Sequence, residues 1–296
     1  MKRTMTTLLA LFLSFSALAQ RDSLVVVFWN VENFYDWKDS GTSDSDSEFS
    51  SGGLKHWTKS RFHTKCDAVS KVLLKIGDSC GRLPDVVGLA EVENAFVLKQ
   101  LVESTVLRKL DYSWVHFDSP DHRGIDCALL YRRSSLDLRG AEAKHLYDST
   151  GQVIPTRDIL LAEFDGLDIL VNHHPSKVGE GSSERRKTAM DRLFGVCDSL
   201  VACGHSSWLA IGDFNDDIWH SGGKGTVKYH GGWEKIDGHL AYGLEVQETV
   251  FEDPLLSERD KSWGGVKPLR TYIGPRYTGG VSDHYPIVLT IKSGTR

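Results

Sequence analysis

Cysteine is scarce in this chain. Five residues in 296, Cys66, Cys80, Cys127, Cys197 and Cys203, are too few and too irregularly spaced for a disulfide-stapled scaffold or a zinc knuckle. One or two bridges stay open in an oxidising compartment. Cys66 and Cys197, however, fall on the apolar stripes of expected helices, where a buried free thiol is at least as natural. The odd count leaves at least one thiol free unless chains are cross-linked. A basic excess is missing too: 35 Lys and Arg stand against 40 Asp and Glu, a formal charge of −5. Such a surface does not attract polyanions broadly, so an anionic substrate has to be gripped locally, by a cation or by a few Arg and Lys in a cleft.

Several chemistries lack their motifs. Gly-x-Ser-x-Gly is absent, which removes support for a serine hydrolase, and no three close His or Cys residues suggest zinc. A calcium loop starting at Asp213 would need Gly and Glu where the chain has Ile218 and Lys224. The run Gly222 to Thr226 fails as a phosphate loop because Gly225 follows its Lys.

What is present begins with Met-Lys-Arg, an apolar run from Leu8 to Leu18, and the small-residue ending Ala17-Leu18-Ala19. This predicts a signal peptide over 1–19, cleaved after Ala19, and a secreted or periplasmic domain over 20–296. Losing Lys2 and Arg3 takes the formal charge from −5 to −7. The leader's apolar run is too short to span a bilayer comfortably, and no later segment approaches the roughly eighteen apolar residues of a membrane span.

Strands are expected at Leu24–Trp29, Asp85–Leu89, Tyr112–Phe117, Ile125–Tyr131, Ile159–Phe164, Leu167–Val171, Trp208–Ile211, Ile236–Tyr242 and Ile287–Ile291, from short apolar runs bounded by turn residues. Helices are expected from Thr58 to Gly77, from Phe96 to Leu110, and from the Gly179–Ser183 turn to Val201. The Asp/Ser/Gly stretch from Asp39 to Gly53 reads as a solvated loop.

Polar groups recur where buried strands end. In Leu209 to Asp217, Gly212 is expected to break the strand so that Asp213 and Asn215 share one side and Phe214 turns into the core. Asn30, Glu32, Glu91, His173, Asp237, Asp283 and His284 occupy comparable positions. Carboxylates and amides without clustered thiols suit Mg2+ or Mn2+, leaving histidines free for proton transfer.

The ordered set Trp29-Asn30-Val31-Glu32, Leu89-Ala90-Glu91-Val92, Asn172-His173, Gly212-Asp213-Phe214-Asn215 and Ser282-Asp283-His284-Tyr285-Pro286 resembles the endonuclease/exonuclease/phosphatase superfamily, the group of deoxyribonuclease I and neutral sphingomyelinases. The resemblance implies an α/β fold, a four-layered sandwich of two packed mixed β-sheets flanked by helices, with the active site at one end. It makes Glu91 the principal ligand of Mg2+ or Mn2+, with Asn30 and Glu32 completing or orienting the shell and Asp283 on the metal side. It makes Asp213 the group that activates water, and Asn215 its support. His284 would pair with Asp237 and contact phosphate, and His173 would donate to the phosphate or the leaving oxygen. Gly238 departs from the bulkier residue usual after that Asp, which puts the strand register there in question.

Phosphoryl transfer gathers negative charge on oxygen, and a divalent ion with imidazolium groups offsets it, each His being raised by a neighbouring carboxylate. Arg123, Arg186 and Arg270 are expected to grip phosphate, with Arg61 and Lys177 extending a small cationic track. His174 and His239 are nearby decoys, expected to pack rather than bind. Trp57, Trp219, Trp233 and Trp263 fall in expected loops, where exposed indoles can stack on bases.

The leading expectation is a secreted phosphoesterase, a nuclease acting on nucleic acid, with no stable membrane association and no obligate protein partner. The alternatives are a phosphodiesterase or phosphatase acting on phospholipid head groups or sugar and inositol phosphates, and a non-catalytic binding module on the same fold. The presence of Glu91, Asp213 and His284 argues against the last.

Overall fold

The computed structural model describes residues 23–216 and 224–292. The expected leader, its cleavage point and Trp219 lie outside the described residues. From the N-terminal side the elements are β1 (Ser23–Phe34), α1 (Asp44–Glu48), α2 (Lys59–Cys80), β2 (Val86–Val92), α3 (Ala95–Glu103), β3 (Tyr112–His116), β4 (Asp126–Arg132), β5 (Leu138–Lys144), β6 (Ile159–Phe164), β7 (Leu167–His173), α4 (Ser182–Ala202) and β8 (Trp208–Asp213). There follow β9 (Val227–Tyr229), β10 (Gly232–Glu234), β11 (Asp237–Tyr242), β12 (Glu245–Val250), β13 (Ser257–Arg259), β14 (Val266–Pro268), β15 (Tyr272–Ile273), β16 (Arg276–Tyr277) and β17 (Ile287–Lys292).

Two sheets carry the fold, in the orders β12-β17-β1-β2-β4-β3 and β11-β8-β7-β6-β5. Each is mixed: β1 runs parallel to β2 and β7 parallel to β8, while the other neighbours are antiparallel. Alternation along β1 shows why the layers stack. Val26 and Phe28 point to the second sheet and pack with Ile169, Val171, Leu209 and Ile211. Val27 and Trp29 point the other way, onto Phe62, Val69 and Leu73 of α2 and Leu98 of α3. On the far side of the second sheet, Leu161, Leu170 and Ala210 receive Leu193 and Cys197 of α4. Strands buried on both faces read as continuous apolar runs, and period-two alternation splits each run between the layers. The result is the expected four-layered sandwich. Among the described residues no helix is long and apolar enough to cross a membrane.

Several boundaries differ from the sequence reading. Gly77 does not end α2; it is buried inside the helix against Leu83, and the helix stops at Gly81 with φ 69°. The stretch from Asp39 to Gly53 is not a solvated spacer. It contains α1, capped by Ser43, and packs Phe49 on Tyr35 at 4.9 Å between ring centres. Buried Asp46 ties it down by accepting from the Ser40 and Thr42 amides. The second expected helix ends at Glu103, and a separate 3-10 turn covers Val106–Lys109. The long loop after Glu252 holds a 3-10 turn and the β13–β14 ribbon. β12 was not expected, although Glu245 to Val250 alternates as an edge strand should. In α4 the inward stripe is Ala189, Leu193, Val196, Cys197 and Leu200, and Val201 is exposed. All five cysteines are free, with Cys66 and Cys197 buried as their stripes suggested.

Candidate active site

The two parallel strand pairs deliver their carboxyl ends to one place. Asn30 lies beside Ala90, one residue before Glu91, and His173 lies beside Asp213 in register. Antiparallel β11 brings Asp237 directly opposite Asp213, which fixes the register that Gly238 had put in question. The backbone does not simply terminate here. β1 continues through Asn30 to Phe34 and β2 through Glu91, each with a register irregularity where they meet. Such bulges re-aim side chains at the cost of local strain. Seven non-glycine residues among those described have positive φ, and Glu32 (50°), Asn33 (50°), Glu91 (65°) and Asn215 (51°) are four of them. All four line the same cavity, of about 810 Å3.

Gly212 does not break β8. It stays in the strand because a Cβ there would sit 2.6 Å from both the Cβ and the carbonyl oxygen of Asn172 on β7. Phe214 then turns into the core as expected, whereas Asn215 is left-handed rather than extended. Its backbone N–H donates to Asp213 Oδ1 at 2.9 Å and its side-chain amide to the His174 carbonyl at 3.0 Å.

Asp213 is the hub. Its Oδ2 accepts from Asn30 Nδ2 at 3.1 Å and lies 3.9 Å from Nε2 of both His173 and His284. Burial, then Asp237, pushes its carboxyl up to about 7, against His284 and Asn30. His284 is held by Asp237 Oδ2 at its Nδ1, 2.8 Å away, and Thr226 Oγ1 donates to the same oxygen. Its backbone is fixed from β1: Trp29 Nε1 donates to the His284 carbonyl at 2.9 Å, and Ser282, which bonds the Asn30 carbonyl, accepts from the His284 amide. Burial works against the imidazolium, but Asp237, Asp283 and Asp213 outweigh it, so His284 is raised well above the usual imidazole range.

His173 departs from the expectation that each His is raised by a carboxylate. Burial first, then Arg157 and Arg123, lowers it well below the usual range; Glu91 at 4.0 Å and Asp213 at 3.9 Å face its Nε2, but among the described residues no carboxylate bonds its Nδ1 as Asp237 does for His284. With His173 Nδ1 buried and without a partner, a proton on Nε2 points at those carboxylates. His174 packs, as expected of a decoy: its ring stands edge-on to Phe214 at 5.1 Å, and burial drives its pKa down to about 3. His239 bonds Glu248 instead of entering the site.

The four residues expected around a metal line this cavity with unequal freedom. Glu91 Oε2 accepts from the Asn33 amide at 2.7 Å, while its Oε1 faces the Arg123 guanidinium at 3.6 Å and the neutral His173 imidazole at 4.0 Å. Both oxygens of Glu32 are engaged, by Arg270 Nε at 3.2 Å and the Thr271 amide at 2.7 Å, an orienting role. Burial and then Asp283 push Glu32 up to about 7. Asn30 Oδ1 accepts from the Glu32 amide, and Asp283 pairs with Arg270 at 2.9 Å. Oxygen donors without thiolates fit a hard divalent ion. One described cluster close enough to hold an ion is Asp213, Asp237 and His284.

Of the expected cations, Arg123 and Arg270 line the cavity. Arg186 does not: its guanidinium turns to Asp216 and the Ser176 carbonyl, and Arg185 lines the wall instead. Arg61 bonds the Lys55 and His56 carbonyls and Lys177 pairs with Glu234, so no cationic track forms. Trp57 is wholly buried with its indole N–H on the Tyr35 carbonyl, and Trp233 stacks on Tyr285; Trp263 remains exposed. Two groups escaped sequence reasoning. Arg157, buried in the cavity wall, pairs with Asp121 at 3.1 Å and donates to the His174 carbonyl at 2.8 Å. Lys65 sits inside the fold below Glu32, whose carbonyl it contacts, and burial pulls its ammonium down to about 8. The nearest signal for Lys65 was the apolar stripe through its neighbour Cys66, and that stripe did not include it.

Paired imidazoles around one carboxylate, with a second acidic group and arginines at the strand ends of a four-layered sandwich, define a phosphoesterase centre. The sequence profile of the Endonuclease/Exonuclease/phosphatase family matches residues 25–235 and 218–293. The chain belongs to this family and is a hydrolase acting on phosphate ester bonds. No curated protein matches the sequence significantly. Similar solved structures include a mannosyl-6-phosphatase of Bacteroides thetaiotaomicron (TM-score 0.59, 16% identity, 92% of this chain and 100% of that one). TDP2 of Caenorhabditis elegans is similar at TM-score 0.55 and 16% identity, over 92% of this chain and 74% of that one. The human Nocturnin catalytic domain is similar at TM-score 0.55 and 15% identity, over 92% of this chain and 95% of that one.

Proposed function

We propose that the protein is a Mg2+- or Mn2+-dependent phosphoesterase that hydrolyses phosphodiester bonds of nucleic acid while touching only a few phosphates. The observation that carries the chemistry is the placing of two Nε2 atoms, of His173 and His284, each 3.9 Å from Asp213 Oδ2. Asp213 takes the proton of the attacking water. His284, kept charged by Asp237, donates to a phosphoryl oxygen, and neutral His173 donates from Nε2 to the phosphate or the leaving oxygen. Asn215 and Asn30 hold the Asp213 carboxylate in place. Glu91, with Asn30 and Asp283 beside it, would hold the divalent ion, which when bound offsets charge on the phosphoryl oxygens.

A second reading, hydrolysis of a compact sugar, inositol or lipid head-group phosphate, is favoured by the cations. Arg123, Arg157, Arg185 and Arg270 gather around one cavity instead of following a strand. The similar mannosyl-6-phosphatase leans the same way. Product analysis on a panel of DNA, RNA, phospholipid and sugar phosphates, with Mg2+, Mn2+ and chelator in parallel, tests both readings. Turnover undiminished in excess chelator would refute the metal, and turnover confined to small esters would leave the second reading standing. We also propose export after cleavage near Ala19, leaving 20–296 as the mature domain. N-terminal sequencing of protein from periplasm or medium tests it.

A further inference from the structure

At the opposite ends of β7 and β8, far from the catalytic strand ends, a second recess of about 440 Å3 collects donors that phosphoester chemistry does not use. Glu163 and Asp168 are direct partners across the β6–β7 ladder. Like charges facing each other there disfavour the pairing. Among the described residues, the ion pairs of both carboxylates go to one imidazole, that of His205. The sequence nonetheless makes room for Glu163. Its ladder partner on β5 is Gly140, where a Cβ would come within 2.8 Å of Glu163 Oε2.

His205 is fixed by the end of α4. Gly204, at φ 89°, donates to the Val201 carbonyl and His205 donates to the Leu200 carbonyl, both at 3.0 Å. That bond pair is the Schellman ending, and it sets the residue after the glycine in a defined direction. The imidazole then bonds Asp168 Oδ2 through Nδ1 at 2.7 Å, and its Nε2 faces Glu163 Oε1 at 3.9 Å. The second separation is too long for a hydrogen bond. Two ligands each about 2.0–2.2 Å from one tetrahedral zinc stand roughly 3.3–3.6 Å apart, so a small inward turn of the Glu163 side chain closes the pair on an ion. An imidazole backed by a carboxylate on its other nitrogen is the arrangement that metal-binding histidines use. Exposed Cys203, two residues earlier, lines the same recess.

We propose that Glu163, His205 and Asp168, whose donor atoms lie within 4.8 Å of one another and of which Asp168 also orients the imidazole, form a second metal site that takes Zn2+. An imidazole nitrogen beside carboxylate oxygens suits this borderline ion better than Mg2+. Its occupant clips the end of α4 to the β6–β7 hairpin.

The test is a Zn2+ titration of the full chain, stripped of metal and returned to excess Mg2+. The readouts are melting temperature and the rate of Cys203 alkylation, mapped by mass spectrometry. Zn2+ at a hundredfold excess over Kd should raise Tm by roughly 5 °C and slow Cys203 alkylation. H205A and E163Q should lose both effects, and D168N should bind Zn2+ roughly 10–100-fold more weakly. E91Q should keep both effects, which separates this site from the catalytic carboxylates. A wild-type protein indifferent to Zn2+, an H205A or E163Q protein that responds as wild type does, or a response lost in E91Q would overturn the proposal.

Discussion

Two imidazoles approach Asp213 Oδ2 at the same distance, yet one is held charged and the other neutral, and the difference lies in what stands behind each ring. Asp237 backs Nδ1 of His284, whereas nothing accepts from Nδ1 of His173, and two guanidinium groups oppose charge there. Turnover should therefore rise with pH through about 7 as Asp213 loses its proton, and fall on the alkaline side as His284 loses its own. D237N should bring the alkaline limb down in pH, and a kcat profile with that limb unmoved would contradict the pairing. D213N and H284A should each lower kcat by on the order of a hundredfold or more, with smaller effects on KM. Of this residue-scale arrangement, the identities of Asp213, Asp237 and His284 were legible in the sequence, because polar residues directly after apolar runs stand out. The opposite states of the two histidines were not, since the burial and the Arg157 guanidinium that lower His173 arise only in the fold.

At the scale of elements, the β1–β2 strand ends rest on α1 and the segment that follows β2. Glu93 is buried against Asp36 and Asp46, and burial pushes its carboxyl up to about 8. A carboxyl raised on folding binds its proton more tightly in the native state. It therefore stabilises the fold at low pH, and that contribution is lost as pH rises from the ordinary Glu range through about 8. E93Q should flatten this decline, as read from denaturant midpoints at pH 5 and about 8.5. G212A forces β7 and β8 apart and should cost roughly 1–3 kcal/mol, visible in the same assay. The strands buried on both faces could be read from sequence at their starts to within a residue, whereas β1, β2, β7 and β8 run two to five residues past their expected ends. The α1 segment was misread because its Asp and Ser residues look solvated, and only the fold reveals that Asp46 turns inward to collect amides.

For the whole molecule, the acidic balance and the localised arginines make substrate capture a short-range affair. Binding of D213N protein to DNA or RNA should weaken with salt at a slope equivalent to roughly two to four phosphates. A steep slope would require a basic groove, and no affinity at low salt would favour the small phosphoester. Chelation should abolish turnover while leaving the far-ultraviolet circular dichroism unchanged. The layers followed from the family resemblance of the strand-end motifs, because continuous apolar runs do not by themselves say how strands divide between two sheets. The cavity wall was not legible, because much of it comes from loops such as 146–157 and 175–181 that carry no periodicity.

The left-handed residues at the strand ends imply that this molecule is not as heat-tolerant as its sequence length would allow. Each forced backbone costs on the order of 1–3 kcal/mol, and Glu91, at φ 65°, is one of them. A laboratory selection for thermal survival alone should erode the active site first. E91G, assayed in chelator, should melt above the wild type while turning over nothing.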